Sequence, residues 1–241
     1  LAPLVLDLAA FGADPGELAW LDPPSAAPLA QARELLRELE ALDAGGSLTA
    51  HGRLMAELGV HPRLAHMVLR AAERGWGSAA CDLAALLEER DILRGSGGSP
   101  EVDVRLRLEA LQKGARGLPR GLGVDGAAVS RVRQQADALR RRAGIRQPRR
   151  DAGGGGEGPV GLLSALAYPD RVGQLRAGSR GRYLRRNGRG VTVDASDALA
   201  GEAWLVVLDL DARGREGRVF QAAPLALADL EEALGGQAES V

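Results

Sequence analysis

At 241 residues, with 45% hydrophobic and 26% charged side chains, the chain has room for two or three small domains with real cores and is too apolar to be wholly disordered. No apolar run approaches the roughly 18–20 residues of a membrane span, and Leu1-Ala2-Pro3-Leu4 has no basic region ahead of an apolar segment, so the expectation is a cytoplasmic protein without membrane contact. A net charge of −1, a single cysteine (Cys81) and three histidines exclude an intrachain disulfide and argue against a closed zinc site, and the lack of an initiator Met suggests a fragment.

In chain order, apolar residues first recur at helical spacing over Leu29, Ala32, Leu35, Leu36 and Leu39. Leu42 to Leu48 then reads as a tight hairpin. Thr49 is placed to cap a helix over Ala50 to Leu58 that Gly59 would end. Further helical patterns follow at Leu64, Met67, Val68 and Ala71, at Leu83, Leu86 and Leu87, and at Val129, Val132, Ala136 and Leu139. Ser78 or Asp82 could cap the middle one. Helices around a hairpin suggest a winged helix. The segment from Val102 to Leu111 fits both a strand and a helix; its helical neighbours and Pro100 favour helix. A Gly-rich run, Asp151 to Pro159, then separates the α half from a β half. Beyond it come a short helix around Leu162 to Ala167 and strands at Tyr183-Leu184, Val191 to Val193, Trp204 to Leu208 and Arg218 to Phe220, and then a last helix over Leu225 to Leu234. Asn187-Gly188 is a strong hairpin turn signal, and the β half is expected to form a small barrel or sandwich.

Charge is strongly segregated along this order. Residues 1–104 hold 8 basic and 16 acidic side chains, 105–150 hold 13 and 3, and 171–190 hold seven Arg and no acid. Basic blocks bracketed by acidic ones suit a polyanion-binding face, since a local positive field attracts phosphate whatever the net charge. An arginine-rich solvated surface is the plainer reading.

No catalytic constellation emerges. Gly121-Leu122-Gly123-Val124-Asp125-Gly126 matches G-x-G-x-x-G by letter, but it follows a Pro-containing basic loop and reads as a flexible helix connection rather than a dinucleotide site. The only lysine, Lys113, is followed by Gly114, which excludes a Walker-type phosphate loop. His61 and His66, five apart, read as capping or surface residues. Glu88-Glu89 and Glu231-Glu232 read as solvated faces, and Cys81 as a buried structural thiol. No metal ligand, cofactor-binding residue or catalytic residue is assigned, and no activity is expected from this chain alone.

The most informative stretch combines Arg171, Arg176, Arg180, Arg182, Tyr183, Arg185, Arg186 and Arg189 with several glycines around the Asn187-Gly188 turn. Arg binds phosphate bidentately or stacks on bases, and Tyr can stack, so the mixture suits a single-stranded nucleic acid. Arg140, Arg141 and Arg142 form a secondary basic patch. The competing structural reading turns Tyr183 inward and the arginines outward along one strand.

Seven segments carry a family resemblance. Leu39-Glu40-Ala41-Leu42-Asp43, Leu48-Thr49-Ala50-His51-Gly52-Arg53-Leu54-Met55-Ala56 and His61-Pro62-Arg63-Leu64-Ala65-His66-Met67 resemble the stretch that follows the second motor domain in DEAH-box (DExH) RNA helicases. Ala167-Tyr168-Pro169-Asp170-Arg171-Val172, Arg182-Tyr183-Leu184, Asn187-Gly188-Arg189-Gly190 and Trp204-Leu205-Val206 resemble the bacterial HrpB-type branch in particular. The resemblance implies an α+β multidomain chain: a winged helix over about 1–58, a helical bundle of the ratchet (HA2-like) type over 59–150, and an OB-like β-domain within 151–241. It also implies an accessory C-terminal part of an ATP-dependent RNA helicase that binds single-stranded RNA (or DNA) and couples motor motion to translocation or unwinding. ATP and magnesium would be handled by RecA-like motor domains of the same polypeptide, which are missing here. Arg171, Arg182, Tyr183, Arg185 and Arg189 fall on the matching β-domain motif, while the glycines of 112–126 depart from the pattern and would loosen the bundle. The alternative is a protein-interaction module docking a partner through its basic and acidic faces.

Overall fold

The computed structural model describes residues 1–13, 16, 18–95, 101–116, 118–146, 160–211 and 216–234. Three helices open the chain: α1 (Ala2–Phe11), α2 (Ala26–Glu38) and α3 (Ala50–Leu58). Helix α1 is absent from the sequence-based elements because Asp7 is its one charged residue, leaving almost no polar face to mark a helical period. The hairpin before α3 is reduced to one bridge, Leu42 with Leu48, closed by Asp43, whose Oδ1 accepts from Ser47 N at 2.8 Å. Thr49 caps α3 as expected: its Oγ1 accepts from Gly52 N at 2.9 Å and donates to the Glu40 carbonyl at 2.7 Å. Gly59, at φ +63°, ends the helix. At Gly52 a Cβ would sit 2.2 Å from the Ala41 carbonyl oxygen, so only glycine lets the helix seat against that strand-like segment.

Helices α4 (Pro62–Glu73), α5 (Gly77–Glu88), α6 (Val104–Lys113) and α7 (Gly126–Arg142) form the bundle. His61 caps α4, its Nδ1 accepting from Arg63 N at 3.3 Å, whereas neither Ser78 nor Asp82 caps α5, whose cap position is Trp76. The glycine-rich run does not loosen this bundle. Leu122–Val124 is strand β2, paired antiparallel with β1 (Leu93–Gly95), and Asp125 caps α7 by accepting from Ala127 N and Ala128 N. A carboxylate therefore fills the helix N-terminus that a nucleotide phosphate would need, and the run does not fit a nucleotide.

After α8 (Val160–Ala167) and a 3-10 turn at Pro169–Arg171 come β3 (Val172–Leu175), β4 (Arg182–Arg185), β5 (Gly190–Thr192), β6 (Trp204–Asp211), β7 (Glu216–Pro224) and α9 (Leu227–Leu234). The five strands close a barrel in the order β3-β4-β5-β7-β6, antiparallel except where β5 meets β7. This is the five-stranded OB-like barrel that the resemblance implies. Tyr183, Val191, Leu199, Leu205, Val207 and Val219 fill its interior. The opposite face of β6, with Val206 and Leu208, joins the helical core through Leu163 and Leu166 of α8. Burial on both faces explains the unbroken apolar run from Trp204 to Leu208.

The ambiguous 102–111 segment is both things in turn. Val102 is extended and buried in the barrel core; its carbonyl accepts from Ala222 N at 2.9 Å and its N–H donates to Asp197 at 3.2 Å. Asp103 then caps α6 by accepting from Arg105 N at 2.9 Å. The bundle thus inserts one residue into the barrel. Pro100 and the 151–159 linker lie outside the described residues. No helix among the described residues is long and apolar enough to cross a membrane.

Candidate nucleic-acid interface

Strand β4 decides which arginines reach solvent. Its residues alternate, so Arg182 and Leu184 face out while Tyr183 and Arg185 face in. Tyr183 is completely buried, and its hydroxyl donates to the Leu199 carbonyl at 2.7 Å, with the Glu202 carbonyl at 2.9 Å. Burial pushes its phenol up to about 12. A ring packed in the barrel core has no face left for a base, and the stacking role expected of Tyr183 is corrected on that ground.

Arg176, Arg180, Arg182, Arg186 and Arg189 do lie at the surface of neighbouring elements: the β3–β4 connection, β4 and the β4–β5 turn. Arg182 and Arg176 share one carboxylate, Glu216 Oε1, at 2.7 and 3.2 Å. Hydrogen bonding from Arg182 holds the Glu216 carboxyl below its ordinary range. Arg180 donates from Nε to the Ala195 carbonyl at 2.8 Å. Arg186 and Arg189 flank the Asn187-Gly188 turn, where Gly188 adopts φ +77° and its N–H closes onto the Arg185 carbonyl at 2.8 Å. Arg186 faces Glu38 of α2 at 3.5 Å.

Several of the other expected arginines are tied into the fold. Arg140 is buried between α5 and α7, paired with Asp82 at 2.5 Å and Asp137 at 2.8 Å and donating from Nε to the Ser78 hydroxyl. Arg142 donates to the carbonyl of Leu58 at the end of α3, and both Arg141 and Arg142 remain exposed. Arg171 donates to the Leu208 carbonyl at 2.9 Å, and its guanidinium stacks 4.7 Å from the Tyr168 ring centre. Arg185 is 8% exposed. Neither Glu88 nor Glu89 is simply solvated: Glu88 accepts from His61 N at 3.3 Å, and Glu89 pairs with Arg131 at 3.0 Å.

Two charged residues that sequence reading passed over complete the seam between barrel and helices. Arg63 pairs with Asp170 at 2.6 Å, donates to the Ala167 carbonyl at 3.1 Å and lies 5.1 Å from the Tyr168 ring centre. Glu38 faces Arg186, and burial holds its carboxyl above the ordinary range. A usable signal existed. Arg63 stands in the first turn of α4 and Glu38 in the last turn of α2, both against their own helix dipoles, which marks each for a tertiary partner. Beside the seam, a cleft of about 400 Å³ is lined by Glu89, Arg90, Asp91, Tyr168, Asp209 and Phe220; three carboxylates against one guanidinium make it a poor seat for phosphate.

The family description "Helicase associated domain (HA2), winged-helix" matches residues 32–60, the α2–α3 region. The ATP-dependent RNA helicase HrpB of Escherichia coli (strain K12) is 32% identical over 210 residues, which are 86% of this chain and 22% of that protein. A crystal structure of the E. coli DExH-box NTPase HrpB superposes with a TM-score of 0.76 at 29% identity, covering 98% of this chain and 26% of that one. A structure of the Escherichia coli DEAH/RHA helicase HrpB gives 0.73 at 30% identity, covering 94% and 25%. The chain thus spans about a fifth to a quarter of the length of these relatives. Sequence over most of its length and fold over nearly all of it agree: the chain matches the HA2-containing region of HrpB-type helicases.

Proposed function

We propose that this region binds single-stranded RNA, or DNA, and couples motor motion to translocation or unwinding in an ATP-dependent helicase. The observation that supports this best is the grouping of Arg176, Arg180, Arg182, Arg186 and Arg189 along the β3–β4 connection, β4 and the β4–β5 turn of one barrel. In OB folds, the second and third strands and the connection before them are where oligonucleotides lie. Glu216 sits beneath Arg176 and Arg182 and orients them. Phosphate takes the strand's charge, and exposed Leu184 supplies an apolar contact for a sugar or base.

The partners in this reading are the strand and RecA-like motor domains, which would supply ATP and magnesium chemistry in a cytoplasmic enzyme. Exposed Phe11 and Leu21, 87% and 105% accessible, favour a protein contact at the α1–α2 connection and support a docking role alongside strand binding. Changing Arg182 and Arg189 together to Ala, followed by oligo-U binding in fluorescence anisotropy, tests the face. Affinity should fall several-fold for every sequence alike, because phosphate contacts carry no base code. Unchanged affinity would remove this face from the account.

A further inference from the structure

Arg185 is left in a position that its own fold does not satisfy. It points inward from β4, and its Nε is buried without a hydrogen-bond partner among the described residues. A buried donor left unmade costs free energy, and more so when the group is charged. Its neighbours aggravate the imbalance: Arg171 and Arg189 act on it as like charges, and burial with those charges holds its guanidinium below the usual range. Asp170 is the acid that acts on it, and Asp170 is already paired with Arg63. Glu38 faces Arg186, and Asp209 acts on Arg171. Arginines therefore outnumber carboxylates at the seam where the β4–β5 turn meets α2 and α4.

We propose that Arg185, with Arg171 and Arg189 beside it, forms an anion site that receives one phosphate group at this seam. Arg189 is held beside Arg185 by the Arg185 N–H, which donates to the Arg189 carbonyl at 3.0 Å; neighbouring guanidinium groups suit an anion with oxygens on more than one side, and a planar fork whose covered Nε–H has no internal partner suits bidentate contact. Occupied, the site would satisfy the stranded donor and offset the crowded positive charge. That the phosphate belongs to a bound strand rests on the reading above; the site itself does not.

The test uses the whole 241-residue chain, with Arg185→Met and Arg185→Lys as variants. Inorganic phosphate should raise the melting temperature of the wild type more than that of Arg185→Met, and the difference cancels the general salting effect. The Met variant should itself melt no lower than the wild type, since it removes an unpaired buried charge at similar length. Oligo-U affinity should fall about tenfold in Arg185→Met and less in Arg185→Lys. In the wild type, the Arg185 Nε–H resonance should shift on adding phosphate, a reading that does not depend on any variant folding.

Equal stabilisation of wild type and Met variant by phosphate would overturn the site. So would an unmoved Nε–H resonance, or a large loss of stability in the Met variant, which would make Arg185 a purely structural cation. Phosphate protection without oligo-U binding keeps the site and defeats the nucleic-acid reading; oligo-U binding that ignores Arg185 does the reverse. An acidic peptide that displaces phosphate where oligo-U cannot would assign the site to a protein carboxylate and overturn the phosphate assignment.

Discussion

His51 and His66 meet nitrogen to nitrogen across α3 and α4, with Nε2 of the first 2.9 Å from Nδ1 of the second and the rings edge to face. One ring must donate and the other accept, so the contact requires at least one neutral imidazole. Burial lowers both, His66 to about 4, and His61 at the α4 cap falls to about 4 for the same reason, with Arg63 adding to it. A histidine lowered in the fold binds fewer protons there than in the unfolded chain, so its contribution is present above about pH 6.5 and is lost as pH falls toward 4. Each unit of separation is worth about 1.4 kcal/mol. Urea midpoints should therefore drop between pH 7 and pH 5, and His66→Gln should flatten that slope. A profile that is level over this range would contradict the pairing.

Arg140 is expected to behave as a clamp rather than a ligand-binding residue. Arg140→Ala strands Asp82, whose carboxyl burial already holds above its ordinary range, between α5 and α7. Removing one partner of a buried pair costs roughly 3–5 kcal/mol. Arg141→Ala, one residue on and exposed, should stay within about 0.5 kcal/mol of the wild type. Denaturant unfolding separates the two, and equal effects would refute the clamp.

Tyr183 gives a comparable separation between stability and binding. Tyr183→Phe keeps the ring in the barrel and removes the hydroxyl's donation to the Leu199 carbonyl, which still accepts from Glu202 N at 3.1 Å, so the cost should be about 0.5–1.5 kcal/mol. Oligonucleotide affinity should not change. A stable Phe variant with weakened binding would return the hydroxyl to the interface.

The architecture was readable where local chemistry is decisive: the Thr49 cap, Gly59 at the end of α3, the Asn187-Gly188 turn and the closing strands all sit where their residues dictate. Strand β3 was obscured because Val172-Gly173-Gln174-Leu175 is short and carries a glycine, a residue depleted in strands, at its second position. The interface was half legible. Counting arginines found the basic stretch, but period-2 alternation in β4 divides it into an exposed set and a buried one. That division depends on barrel closure, which places Tyr183 and Arg185 inside. The partners of Arg140, Arg63 and Arg186 come from distant positions, Asp82, Asp170 and Glu38, and no local pattern joins them.

The exposed arginine face of the barrel is tested most directly by the salt dependence of oligo-U binding to the whole chain. With about five phosphates contacted by Arg176, Arg180, Arg182, Arg186 and Arg189, the log–log slope of affinity against salt should lie near about −3.5 for a single strand. Binding that ignores salt, or that is absent at about 50 mM salt where this electrostatic attraction is strong, would contradict the account.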